Sequence, residues 1–75
     1  PLANQVAVLL AAQQNVFMAY PVSQVAEKKR HMFEQLNRLC PHLLDRINQT
    51  GELRDADRDS LIGYIRDIFE GDGNA

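Results

Sequence analysis

Residues 55–70 read DADRDSLIGYIRDIFE. Leu61, Ile62, Ile65, Ile68 and Phe69 recur at i, i+1, i+4, i+7 and i+8, the spacing of one face of an α-helix. Asp55, Asp57 and Asp59 crowd the first turn, where carboxylates complement the positive end of the helix dipole. The pattern predicts a helix from Asp55 to Glu70, with Gly71 as its C-terminal cap and 71–75 as a frayed tail.

Working back toward the N-terminus, Pro41–Gln49 has proline at its start and Gly51 just past its end, the asymmetry of a short helix. Leu43, Leu44 and Ile47 are its apolar stripe. Val22–Leu39 forms a longer helix, with Val25, Met32, Phe33, Leu36 and Leu39 on one face. Arg30–Glu34 and Glu34–Arg38 are i,i+4 pairs. Asn15–Pro21 breaks the periodicity. Asparagine tolerates the left-handed conformation that ends helices, and Pro21 biases Tyr20 away from helix and opens the next one. Residues 3–14 form the first helix. Val6, Leu9, Leu10 and Gln13 share a face, while Ala7, Val8, Ala11 and Ala12 make the other faces apolar too. A helix apolar nearly all round is buried on several sides, and here part of that cover belongs to a missing neighbour. No strand pattern and no repeat appears. The fold class is all-α, a small bundle of three to four helices with short loops, in a single domain over 1–75.

The chain has 75 residues, 45% hydrophobic and 24% charged, with net charge -2. A chain of this size buries about 60% of its unfolded surface, so its stability is marginal and leans on partners or on good helix packing. An acidic balance argues against nucleic acid. Charge is segregated: 51–75 holds three arginines against seven acids, while Lys28, Lys29, Arg30 and Arg38 cluster earlier. The basic run Lys28-Lys29-Arg30 is either a solvated helix face or a docking patch for an acidic protein surface. The apolar run Val6–Ala12 is too short to span a membrane, so no direct insertion is expected. The start on proline without methionine reads as a piece of a longer chain.

Chemistry is sparse. Asp55-x-Asp57-x-Asp59 opens like a calcium loop, but Ser60 stands where that loop needs glycine and Arg66 where it needs a closing acid. Cys40, His42 and His31 are the only soft ligands, and their spacing meets no zinc pattern. A lone Cys40 makes no internal disulfide and fits a reducing compartment. No phosphate loop and no nucleophile–base set is present. No catalytic residue, metal or cofactor is assigned to these 75 residues.

Ile47-Asn48-Gln49-Thr50-Gly51 resembles the helix-ending turn in the C-terminal domain of the α subunit of F-type ATP synthases. Gln5-Val6-Ala7-Val8, followed by Leu9, Leu10 and Ala11, resembles the first helix of that domain, and Ser23-Gln24-Val25 its Ser-Lys-Ile step. Spacing from Val25 to Ile47 agrees without a gap, and Ile62, Ile65 and Phe69 sit where the last helix carries apolar residues. Asn15 stands where that family usually has glycine, Lys28 where an aromatic is common, and Phe17–Tyr20 is richer in aromatics, as in a divergent member.

The resemblance implies a non-catalytic part of a proton-transporting two-sector ATPase. The α subunit alternates with β in a ring around a rotating stalk. ATP or ADP and Mg belong to an upstream domain. The tip Asn15–Gln24 faces the γ subunit, with Tyr20, Pro21, Val22, Ser23 and Gln24 as contact residues. The implied place is the cytoplasmic face of the bacterial inner membrane, peripherally. The alternative from the residues alone is an unrelated helical interaction module, an adaptor or regulator that binds a partner helix in a groove.

Overall fold

The computed structural model describes residues 2–73, with side chains through residue 70. Four α-helices follow in order: α1 (Leu2–Gln13), α2 (Val22–Leu39), α3 (Pro41–Thr50) and α4 (Asp55–Gly73). A 3-10 turn, Val16–Ala19, lies between α1 and α2. No strand occurs among the described residues. The bundle measures 34 × 20 × 20 Å. α1 and α2 each pack on both α3 and α4.

Local signals account for the boundaries. Pro41 occupies the first turn of α3, where its missing N–H removes nothing from the helix. α3 ends at Gly51, whose φ of 68° places it in the left-handed region that glycine enters without a Cβ penalty. Asp55 and Asp57 lie in the first turn of α4. That helix runs to Gly73, two residues past the expected cap, so Gly71 lies within the helix, where a glycine costs about 1 kcal/mol relative to alanine. Asn74 and Ala75, the remainder of the expected tail, lie outside the described residues.

The core gathers Met32 and Leu36 of α2, Leu43, Leu44 and Ile47 of α3, and Leu61, Ile65, Ile68 and Phe69 of α4. These follow the predicted stripes, except that Leu39 is exposed and Val25, Phe33 and Ile62 are only partly covered. On α1 the buried face differs from the expected one. It is Ala3, Ala7, Leu10 and Ala11, whereas Leu9 is 63% exposed. Alanine at three of four inward positions lets the α1 backbone approach α3 and α4 closely, and the bulkier Leu9 turns away. A shallow apolar hollow remains between α1 and α2, lined by Asn4, Gln5, Val8, Leu9 and Phe33.

Polar contacts tie the helices together. Asn48 Oδ1 accepts from the Ala3 N–H at 2.8 Å and satisfies one of the donors that a helix start leaves orphaned. Thr50 Oγ1 donates to the Arg46 carbonyl at 2.8 Å and accepts from the Glu52 N–H at 3.1 Å, stitching both sides of Gly51. The Arg46 guanidinium donates to Asp57 Oδ1 at 2.6 Å and joins α3 to α4.

Candidate functional site: the helix–loop–helix tip

α1 closes with Gln14 and Asn15 N–H groups donating to Leu10 and Ala12 carbonyls, both at 3.0 Å. Asn15 then takes φ 61° and ψ 25° and reverses the chain, so asparagine does fill the left-handed position expected of it. The 3-10 turn that follows has no buried residue of its own, and the bonds from Met18 N–H to Asn15 at 3.3 Å and from Tyr20 N–H to Phe17 at 3.2 Å are long. Extended backbone at Tyr20 and Pro21 leads into α2, whose first turn closes with the Gln24 N–H on the Pro21 carbonyl at 2.9 Å.

Rings hold this segment. Phe17 meets Phe69 of α4 edge-on, with centroids 5.6 Å apart and planes at 89°. Tyr20 lies against the same ring at 6.0 Å and 48°. Both distances fall in the range where aromatic pairs attract beyond their buried area. Lys28 Nζ sits 4.6 Å from the Tyr20 centroid, a cation–π distance, and Lys29 Nζ 5.9 Å from that of Phe17, at the edge of that range.

The expected contact residues therefore divide. Tyr20 is partly covered and faces the bundle. Pro21, Val22, Ser23 and Gln24 are exposed, Val22 to 91%. Met18, not singled out from sequence, is 80% exposed and adds a second apolar side chain to the tip. The basic run divides as well. Lys28 and Lys29 fold over the tip rings, and Arg30 is exposed with an i,i+3 ion pair to Glu27 at 3.7 Å. Glu27, Lys28, Arg30, His31 and Glu34 line one mixed-charge hollow on α2. Between exposed side chains the Arg30–Glu27 pair contributes little stability.

The remaining chemistry-bearing groups do not converge. Cys40 is buried at the α2–α3 junction, and burial pushes its thiol pKa up, away from the reactive thiolate. Asp57 is engaged by Arg46, and no group of three or more His, Cys, Asp or Glu side chains gathers among the described residues.

The family model for the C-terminal domain of the ATP synthase alpha/beta chain matches residues 1–68, nearly the whole sequence and all four helices. The protein belongs to this family. Comparison with curated proteins found no match, and neither did comparison with solved structures. As an ATP synthase alpha/beta domain it works beside other ATP synthase subunits, in a membrane-associated complex. No helix among the described residues is long and apolar enough to cross a membrane.

Proposed function

We propose that the protein is the C-terminal bundle of an ATP synthase α subunit, set in the α/β ring, with its tip against the γ subunit of the central stalk. The observation that carries this reading is the tip itself. Val22, at the first position of α2, and Met18 stand out in solvent, Met18 on a loop whose own rings are anchored to α4. Such a loop keeps its shape while it offers apolar surface to a partner. The preference for α over β rests on the residues that resemble the α subunit, above all Ile47–Gly51 and Gln5–Ala11.

In this role the domain is a lever. A packed helical unit rocks as a body when the stalk turns, and the motion reaches nucleotide sites elsewhere in the subunit. ATP or ADP with Mg binds in the upstream domain, and the complex lies on the cytoplasmic face of the bacterial inner membrane. The hollow at Val8, Leu9 and Phe33 is where that upstream domain packs, which explains an outward-facing leucine on α1.

Cysteine placed at Ser23 tests the stalk contact. In the assembled complex, crosslinks from Ser23→Cys reach γ. Buried Cys40 does not compete. No γ adduct, under conditions where a control site crosslinks, defeats the reading. A phosphate-binding G-x-x-x-x-G-K-[ST] loop upstream in the parent reading frame checks the parent subunit independently.

A further inference from the structure

The tip carries little structure of its own. Its 3-10 turn has no buried residue, the bonds from Met18 to Asn15 and from Tyr20 to Phe17 are long at 3.3 and 3.2 Å, and a non-glycine residue in the left-handed region stands at its entrance. A segment with no buried residue of its own belongs to the easily opened part of a fold. Yet Phe17 and Tyr20 converge on one ring, Phe69, which is 8% exposed and sits among the core residues of α4. Lys28 reaches over Tyr20 from the first half of α2. The loop is thus joined to α4 by contacts between residues far apart in sequence, and to α2 by a nearer one.

We propose that Phe69 is the positioning residue of the tip: with Phe17 and Tyr20 it forms a clamp that makes the loop move with α4 as one body. The consequence for force transfer rests on the stalk-contact reading above. A push on Met18 passes through the clamp into α4 and from there, through Leu61 and Ile65, into the core. Without the ring the loop yields locally and the push is absorbed before it reaches α4.

The test is hydrogen exchange in the assembled complex, read at the Met18 and Tyr20 amides, with the Gly51 amide (bonded to the Ile47 carbonyl at 2.9 Å) as internal standard. Phe69→Leu keeps an apolar side chain and removes the ring. Tyr20→Leu breaks the same clamp from the half-covered loop side and does not depend on how the core tolerates a change at Phe69. Both speed exchange at the tip by roughly three- to tenfold, the scale of an aromatic pair's contribution. Gly51 stays unchanged, and Phe69→Tyr restores protection. Unchanged tip exchange in both leucine variants overturns the proposal, and so does a parallel rise at Gly51, which means only general loosening. Ion pumping per ATP hydrolysed is read on the same variants. Faster tip exchange with lower pumping supports both clamp and stalk contact. Faster tip exchange with unchanged pumping leaves the clamp standing and defeats the stalk contact.

Discussion

Among the described residues the path reverses twice through a residue in the left-handed region, at Asn15 with φ 61° and at Gly51 with φ 68°, and the two turns are held by different forces. Around Gly51 the restraints are hydrogen bonds: Gly51 N–H to Ile47, Thr50 to Arg46 and Glu52, Asn48 to Ala3, with the Arg46–Asp57 bond alongside. Past Asn15 the side-chain restraints are the faces and edges of three rings and two ammonium groups. Hydrogen bonds are directional and short, and they fix a turn to one geometry. Ring contacts tolerate sliding and tilt. The stitched turn suits a fixed joint, and the clamped loop suits a surface that takes load.

The largest expected effect falls on the clamped side. Phe69→Ala removes the shared ring and leaves a hole in the core, costing about 3 kcal/mol of unfolding free energy in thermal or urea denaturation. On the stitched side, Arg46→Ala leaves the carboxylate of Asp57, with its side chain only 12% exposed, without that partner. The cost is about 1–2 kcal/mol, less than a fully buried hydrogen bond to a charged group because the Arg46 side chain is 57% exposed. A loss at Arg46 as large as that at Phe69 would break the comparison, because it would make the polar joint as important as the ring clamp.

Smaller changes sharpen it. Asn48→Ala costs about 1 kcal/mol through the unpaired Ala3 donor, whereas Asn48→Asp keeps an acceptor there and retains most of that stability. Gly51→Ala also costs about 1 kcal/mol. A Cβ there would meet Leu2 Cδ2 at an ordinary 3.9 Å, so the whole effect is conformational. Asn15→Gly shifts stability by less than about 0.5 kcal/mol, because asparagine already tolerates this conformation and glycine gains only what it loses in unfolded-chain entropy. Equilibrium denaturation of the four variants places them on one scale.

Legibility in the sequence divides along the same line. The stitched turn is local, and Pro41, Gly51 and the Leu43–Leu44–Ile47 stripe announce α3 without tertiary information. Asp55–Phe69 announces α4 by its period, although the helix runs on to Gly73. The boundaries of α2 follow from Pro21 and Pro41. What the sequence withholds is non-local. Nothing in Phe17 or Tyr20 says that both will meet Phe69. The surplus of aromatics over Phe17–Tyr20 is the only trace of it. The α1 face is misread for a related reason. Hydrophobicity ranks Leu9 above Ala3, but close helix approach selects the smaller side chain. Met18 is missed because an exposed methionine carries no periodic signature. The basic run reads as a surface patch, yet two of its three members are spent on the tip rings, an arrangement that needs the loop's path.

On this reading the tip is the working surface and the Gly51 turn is the fixed joint. A density map of the assembled complex measures this most directly. The expected result is side-chain atoms of Met18 and Val22 within about 4.5 Å of the central stalk, with the Asn48–Glu52 turn away from it. A map with the Gly51 turn on the stalk and the Met18–Val22 surface in open solvent would contradict it.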